Sequence, residues 1–341
     1  MYDAAVLIGR FEPVHAGHMA LVREALAHAR RAIVIAGSAF QARTPKNPFT
    51  WAERADMLQG TLPEADRERL TVLPVRDYYD EAVWVRAVQQ AVARHVPAGG
   101  RIGLVGHFKD ASSSYLSAFP GWSLISVERQ GSIDATAIRD AYLGAQPQAL
   151  AALVDQMPAG TLHFLQAFAQ LPAYTALQEE WRMLRAYRAT WAQAPYPPVF
   201  VTVDAVLRCQ DHVLLIRRAH APGKGLLAVP GGFIEPRETL WQSCLRELAE
   251  ETHCALPEPA LRAALQQVTV FDHPDRSQRG RTITHAHYFD LGAAPFPTVR
   301  ADDDAAQVAW TPIAQLAGME EAFFEDHFHM LDHFLGLTGC R

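Results

Sequence analysis

Several features are scarce in or missing from this 341-residue sequence, and each absence narrows the class of protein. The cysteines form no CxxC pair and fit no zinc spacing, which favours reduced thiols and a cytoplasmic protein. No apolar run is long enough to cross a bilayer, and the first residues show no basic stretch followed by an apolar one, so we predict neither a membrane segment nor a signal peptide. A net charge of -6 argues against non-specific binding of nucleic acid. GxxxxGK[ST] is absent, which excludes a Walker loop.

Strand-like and helix-like segments alternate through the first half of the chain. The strand-like segments are AAVLIG, AIVIAGSA, RLTVLPV and RIGLVGH, and the helix-like ones are residues 18 to about 31, TWAERADMLQG and VWVRAVQQAVARHV. This order predicts a doubly wound, Rossmann-like parallel sheet with helices on both faces. Ligands of such sheets bind beyond the carboxyl ends of the strands.

A proline cluster marks the expected domain boundary. The chain is too long for one ordinary core, so we expect two domains. Residues from about 155 to 191 are helix-like and are followed by APYPPV, which interrupts a helix. Two strand-like runs, joined by a polar turn, then begin a new unit. We therefore predict domains at 1–187 and 195–341.

The segment GRFEPVHAGH joins the first strand to the first helix. Gly9 ends the strand and can take a backbone conformation that other residues resist. The free N–H groups and the positive dipole end of the helix favour an anion near His15 and His18. Two imidazoles in this first turn predict a triphosphate site. The alternative is that the histidines merely cap the helix.

This segment resembles the signature of the HxGH nucleotidylyltransferases, which transfer a nucleoside monophosphate from a triphosphate and release pyrophosphate. GSIDATAIRDAYL resembles the family's later STxxR-like motif through Thr136 and Arg139, with Asp134 where serine is common. The resemblance implies that His15 and His18 hold the triphosphate, that Arg139 holds the departing phosphates and that Mg²⁺ bridges phosphate oxygens. The other nucleotide-binding residues that it implies are Gly9, Arg10, Phe11 and Thr136.

Three further segments are similar to the archaeal-type nicotinamide mononucleotide (NMN) adenylyltransferases: KNPFTWAER, YYDEAVWV and VGHFKDASSSYLSAFPGW. The resemblance implies ATP and NMN as substrates and places Trp84 near the nicotinamide. An aromatic face suits a cationic pyridinium, although Trp84 equally fits the apolar face of a helix. Lys109 and Asp110 either contact the mononucleotide or stabilise their loop.

The segment GGFIEPRETLWQSCLRELAEETHC carries three clustered glutamates. Thr239 and Gln242 form a capping box, so a helix is expected to begin there. Glu247, Glu250 and Glu251 then share one helix face, where like charges repel unless a cation lies between them. Oxygen ligands of this kind suit a divalent cation. A solvated acidic face is the alternative.

The same stretch is identified as a Nudix box, Gx5Ex7REUxEExGU, where U is aliphatic. The residues in register are Gly232, Glu238, Arg246, Glu247, Leu248, Glu250 and Glu251. His253 replaces the late glycine, and Cys254 replaces the last aliphatic residue. The loss of the glycine puts the geometry of the loop after the helix in doubt. The resemblance implies a Nudix α/β/α sandwich that hydrolyses a nucleoside diphosphate linked to another group. It also implies Mg²⁺, with Mn²⁺ as an alternative, bound by Glu247, Glu250 and Glu251.

TVFDHPDRSQRGRTITHAHYF resembles the matching segment of ADP-ribose pyrophosphatases. By this resemblance Arg276, Arg279 and Arg281 meet phosphates, and Phe271 or His273 contacts the base or ribose. The alternative is a basic hairpin face. The acidic stretch 302–304 is either a general-base or metal region or an ordinary turn.

Together the two resemblances cover nearly the whole chain and point to the family of bifunctional NMN adenylyltransferases/ADP-ribose pyrophosphatases. The expected substrates are ATP, NMN and ADP-ribose, with no nucleic acid or membrane partner. One alternative is adenylyl transfer to another phosphate, such as phosphopantetheine, beside a Nudix domain that acts on other nucleotides. A second is a Nudix domain that senses ADP-ribose or NAD without catalysis. The sequence leaves the oligomeric state open, with a homo-oligomer as one possibility.

Overall fold

The computed structural model describes residues 1–106, 118–128 and 134–339, and the chain divides into two compact units, Met1–Trp181 and Arg182–Arg341. The strands of the first unit are β1 (Tyr2–Gly9), β2 (Ala29–Ala36), β3 (Leu70–Pro74), β4 (Ile102–Gly106) and β5 (Ser123–Ser126). Its helices are α1 (Ala16–His28), α2 (Trp51–Gln59), α3 (Glu64–Arg67), α4 (Glu81–Ala93), α5 (Ala135–Leu143), α6 (Pro147–Ala151) and α7 (Ala159–Phe168), together with the first part of α8 (Pro172–Thr190).

The first sheet is parallel throughout, with strand order β3-β2-β1-β4-β5. The order reverses between β1 and β4, so the segment after β1 leaves the sheet at its switch point, where open α/β sheets bind ligands. This confirms the predicted doubly wound fold and places GRFEPVHAGH at the site edge.

Alternate residues of β1 face two different hydrophobic clusters. Ala5 and Leu7 join the cluster that includes residues of α1, α2, α5 and α7, whereas Ala4 and Val6 join a second one with Val88 of α4. A strand buried on both faces in this way reads as a continuous apolar run. Helices therefore cover both faces of the sheet.

The second unit contains a mixed seven-stranded sheet with the main order β10-β11-β6-β7-β12. Strands β6 and β11 are parallel, β8 pairs with β7, and β9 pairs with β6. The strands are β6 (Val199–Cys209), β7 (His212–Arg218), β8 (Leu227–Ala228), β9 (Gly231–Phe233), β10 (Leu265–Phe271), β11 (Arg281–Asp290) and β12 (Ala305–Pro312). The helices are α9 (Leu240–Thr252), α10 (Glu258–Ala264), α11 (Ile313–Leu316) and α12 (His327–Leu335).

Two clusters again pack on opposite faces of this sheet. Cys244 and Leu248 of α9 pack with Val203 of β6, and Phe328 and Leu331 of α12 belong to the opposite cluster. The predicted α/β/α sandwich is confirmed. The predicted capping box also starts α9, because the Thr239 hydroxyl accepts from the Gln242 N–H.

The structure differs from the sequence-based expectations at two places. The first helix ends at His28 instead of near residue 31, because Ala29 already pairs with Tyr2 in the parallel ladder. Strand β5 was not expected, since its short polar sequence shows no apolar alternation. The chain divides within α8, and we keep 1–187 and 195–341 as the proposed domain limits. Within the described ranges, no helix is both long and apolar enough to span a bilayer.

Candidate active sites

The backbone after β1 turns sharply into α1. Gly9 is itself the last residue of β1, paired with Ala36, and the left-handed conformation falls on Phe11, with φ 59°. Phe11, and not Gly9, therefore supplies the left-handed conformation in this turn. The Phe11 side chain is buried, and its ring lies 4.7 Å from the His18 ring. Phe11 thus forms one wall of the histidine pair.

His15 caps α1 and His18 lies in its first turn, with the two rings stacked at a centroid distance of 3.6 Å. The backbone N–H of His15 donates to Nδ1 of His18 at 3.3 Å. A neutral ring that accepts at Nδ1 carries its proton on Nε2, so His18 offers an N–H donor. A Cβ on Gly17 would lie 3.1 Å from the His15 ring, which explains the glycine between the histidines.

Arg139 brings the second motif to the first. Its Nη1 donates to the backbone carbonyl of Glu12, and its Nη2 donates to the Thr136 hydroxyl at 3.1 Å. Burial lowers the pKa of Arg139, and the nearby charge of Arg10 lowers it further. Two guanidinium groups that repel one another beside a helix N-terminus form a site suited to a polyphosphate.

The predicted mononucleotide residues are only partly described. Trp84 lies in the first turn of α4, half-buried, with its ring 5.8 Å from that of Phe119, which in turn stacks on Trp122. Both proposed roles of Trp84, packing and contact with nicotinamide, are compatible with this position. Lys109 and Asp110 lie outside the described residues.

Arg246 organises the glutamates of α9. Its Nη1 donates to Glu247 at 2.8 Å and to Glu250 at 2.9 Å, and its Nε donates to Glu238 at 3.0 Å. The Ser243 hydroxyl donates to the same Glu238 oxygen, and these two bonds lower the pKa of Glu238. The spacing of the box therefore corresponds to one hydrogen-bonded group centred on Arg246.

Glu251 and Glu247 are the more enclosed carboxylates. Glu251 is 3% exposed and accepts the N–H of Gly231 at 2.8 Å. Burial raises the pKa of Glu251 to about 8, opposed by that hydrogen bond and reinforced by the charge of Glu247. Burial also raises the pKa of Glu247, with Arg246 acting in the opposite direction. The positive charge around each of these carboxylates does not offset the cost of ionising it in a buried position.

These carboxylates fit a divalent cation by the chemistry of their oxygens. Within the described ranges, no three His, Cys, Asp or Glu side chains are arranged as a ready metal site. Arg246 explains this, because its guanidinium occupies Glu247 and Glu250. Glu250 is also substantially exposed, so it can turn towards a cation without disturbing the core.

Gly232 leaves room for the carboxylate of Glu247. A Cβ at this position would lie 2.6 Å from the carboxylate carbon and both oxygens of Glu247. Arg246 holds that carboxylate, so the clash would displace a proposed metal ligand.

His253 ends α9 in the left-handed conformation, with φ 44° and ψ 37°. Glycine commonly ends helices in this conformation, so His253 preserves the turn that the box glycine would form. The ring nitrogen Nε2 of His253 lies 2.7 Å from Asp302, and the Asp302 N–H donates to the Glu251 carbonyl. The charge of Asp303 also raises the pKa of Glu247. The stretch 302–304 therefore lies beside the box glutamates.

The predicted ADP-ribose residues divide into two groups. The Arg276 guanidinium is buried and donates to both oxygens of Asp326 at 2.8 Å, and Phe271 is buried against His333 and Phe334. Both side chains are thus enclosed by the protein in this structure, and their roles as a phosphate contact and a base contact stay predictions. The other predicted contacts are less buried and stay candidates: His273, Arg279 and Arg281. The Arg279 guanidinium lies over the Phe233 ring, 5.0 Å from its centroid, and Arg281 donates to the Asp272 carbonyl.

Two charged residues, one of them within the HxGH segment itself, were not singled out from the sequence. Arg54 and Glu12 are each 1% exposed and form an ion pair with a 3.3 Å separation between Nε and Oε1. Arg54 lies within KNPFTWAER, but the residues around it in the sequence do not indicate that its guanidinium is buried. Only the fold brings the two residues together.

Comparison with known proteins gives separate matches for the two halves and one match for the whole. The NUDIX domain family matches residues 198–334 and the cytidylyltransferase-like family matches residues 6–95. A nicotinamide/nicotinic acid mononucleotide adenylyltransferase of Acinetobacter baylyi is 35% identical over 53% of this chain and 94% of its own. An ADP-ribose pyrophosphatase of Methanocaldococcus jannaschii is 33% identical over 34% of this chain and 63% of its own length.

A crystal structure from Francisella tularensis resembles the entire chain. It is a bifunctional NMN adenylyltransferase/ADP-ribose pyrophosphatase complexed with AMP and a manganese ion, 34% identical, with a TM-score of 0.91 and 100% of both chains covered. Identity at this level over both full lengths is enough to assign the family. The chain belongs to the family of bifunctional NMN adenylyltransferases/ADP-ribose pyrophosphatases.

Proposed function

We propose that the chain makes NAD and pyrophosphate from ATP and NMN in its first unit, and hydrolyses ADP-ribose to AMP and ribose 5-phosphate in its second. The observation that carries this proposal is that the two motif-bearing helices, α1 and α9, belong to separate compact units, each with its own charged site. Similarity to the bifunctional enzyme over the full length supports the pairing.

The transferase reaction needs positioning more than acid–base chemistry. A phosphate oxygen of NMN attacks the α-phosphorus of ATP, and the bond from that phosphorus to the bridging oxygen breaks to release pyrophosphate. His18 donates an N–H to the triphosphate, while Arg10 and Arg139 neutralise the phosphates that depart. When bound, Mg²⁺ supplies further neutralising charge on the phosphates.

The hydrolase reaction adds water across the diphosphate of ADP-ribose. Glu247, Glu250 and Glu251 are the proposed ligands of divalent cations, which when bound neutralise the diphosphate and activate water. Arg246 holds Glu247 and Glu250 on one side of α9. Arg279 and Arg281 are the proposed contacts to the substrate. Mg²⁺ is the proposed ion, with Mn²⁺ as the alternative.

A substrate panel tests the proposed function directly. The protein is incubated with MgCl₂ and either ATP plus NMN, ATP plus phosphopantetheine, ADP-ribose, NADH or 8-oxo-dGTP, and products are separated by chromatography. We expect NAD from the first mixture, and AMP with ribose 5-phosphate from ADP-ribose. Tight binding of ADP-ribose without hydrolysis would instead identify the second unit as a sensor.

Removal of divalent cations is expected to abolish ADP-ribose hydrolysis. The α9 carboxylates carry excess negative charge that a diphosphate would increase, so the site needs a cation to accept substrate. AMP release should stop when EDTA is added in excess and return when MgCl₂ is restored. An unchanged rate after complete chelation would exclude the three glutamates as metal ligands in catalysis.

Gly232→Ala is expected to lower ADP-ribose hydrolysis about 100-fold, because the added Cβ displaces the Glu247 carboxylate from its place beside Arg246. NAD formation by the same preparation serves as the internal control. Gly318→Ala is the matched variant, since a Cβ at Gly318 would meet only the Gln315 carbonyl oxygen, at an ordinary contact distance of 3.9 Å. Wild-type hydrolysis by Gly232→Ala would show that the close approach has no role in the reaction.

A further inference from the structure

Arg54 is a fully enclosed cation whose donors go mainly to backbone carbonyls. Its Nη1 donates to the carbonyls of Arg10 at 2.6 Å and Gly37 at 2.7 Å. Its Nε donates to the Thr50 carbonyl at 3.3 Å. The first two carbonyls follow the carboxyl ends of β1 and β2, so one guanidinium fixes the spacing of two strand ends at the site edge.

Glu12 extends this link to two further elements. Its carboxylate accepts the Phe49 N–H at 3.1 Å and pairs with Arg54, which lies on α2. Its backbone carbonyl accepts from Nη1 of Arg139 on α5. A single residue therefore connects the segment after β1 to α2 and to the guanidinium that we place on the departing phosphates.

Fold stability alone gives little reason to bury this pair. Burial raises the pKa of Glu12 to about 8 and lowers the pKa of Arg54, while the attraction between them works in the opposite direction for each. Buried ion pairs contribute little net stability compared with apolar groups of similar size, because both partners lose their hydration. Such a pair does restrict geometry, since each partner has directed hydrogen bonds.

We propose that Arg54 and Glu12 are positioning residues of the adenylyltransferase site. They set the backbone of Arg10 and the guanidinium of Arg139 at the separation that the triphosphate requires. This inference rests on the proposed transferase function. Neither side chain is placed on the substrate, and both act through the groups that they hold.

The experiment compares two near-isosteric variants with a matched control. Arg54→Lys keeps the charge and loses the planar set of donors. Glu12→Gln keeps the size and replaces by an amide the carboxyl group that accepts from Phe49 and pairs with Arg54. Arg69→Lys is the control. Arg69 also donates to backbone carbonyls, those of Leu26 and Ala29, but these lie near the amino end of β2 and away from the carboxyl ends of the strands. For each variant, kcat and KM for ATP and NMN, and Tm, are measured in the full chain with MgCl₂.

We expect kcat/KM for ATP to fall about 100-fold in Arg54→Lys and about 10-fold in Glu12→Gln, since displacements near 1 Å have effects of this size. The KM for NMN and the activity of Arg69→Lys should stay near wild type. A purely structural role would lower Tm and leave kcat and KM per folded molecule unchanged, which would overturn the proposal. If Arg54→Lys does not fold, Glu12→Gln decides by the same criterion. A wild-type protein that forms no NAD would overturn the transferase function itself.

Discussion

His18→Ala is expected to lower kcat/KM for NAD formation by a factor of about 10² to 10³, the usual effect of removing one preorganised donor from a site of developing charge. The His18 ring is fixed by the stack with His15 and by the N–H that Nδ1 accepts. Its Nε2–H is thus ready before ATP binds, and alanine removes it. Arg139→Ala should have a similar effect, because it removes a guanidinium held by Glu12 and Thr136.

The matched control for this prediction is His28→Ala. His28 lies at the other end of α1, exposed, and pairs with Glu24. Its replacement should leave NAD formation unchanged. ADP-ribose hydrolysis should be near wild type in all three variants. If folded His18→Ala protein formed NAD at the wild-type rate, the HxGH segment would not be the triphosphate site.

Glu250→Gln is expected to lower ADP-ribose hydrolysis about 10³-fold. The loss of one carboxylate charge removes several kcal/mol of stabilisation from a metal-assisted transition state, and each 1.4 kcal/mol is a factor of ten. The amide oxygen can still accept from Arg246, so the hydrogen-bonded group on α9 should persist. Because Glu250 is substantially exposed, the fold should tolerate the change.

Glu258→Gln is the control for the hydrolase. Glu258 is also exposed and bonded to an arginine, Arg262, but lies on α10. Its hydrolysis rate should match wild type, as should the NAD formation of both variants. Equal rates for Glu250→Gln and Glu258→Gln would mean that the box glutamates serve another purpose, such as binding without catalysis.

Features with a local cause could be predicted from the sequence. The start of α9 follows from Thr239 and Gln242, and the grouping of three glutamates follows from helical spacing. The switch-point position of GRFEPVHAGH follows from the βα order. In each case the residues that decide the structure lie within a few positions of one another.

Features that depend on distant pairing could not be predicted. Arg276 reads as a basic surface residue, yet Asp326 lies fifty positions later and turns it into a buried ion pair. Helix α1 ends at His28, before the predicted end near residue 31, because the chain from Ala29 onward pairs with β1 as strand β2. The Glu12–Arg54 pair has the same character. The fold determines which charged side chains are buried, and the structural preferences of neighbouring residues in the sequence do not predict it.

We propose two independent active sites, one on each unit, of which the first transfers AMP to NMN and the second hydrolyses ADP-ribose. The most direct test is one reaction mixture of ATP, NMN, ADP-ribose and MgCl₂, divided among wild type, His18→Ala and Glu250→Gln, with NAD and ribose 5-phosphate followed by chromatography. We predict both products from wild type, only ribose 5-phosphate from His18→Ala, and only NAD from Glu250→Gln. Loss of both products in either variant, with its fold intact, would contradict the account.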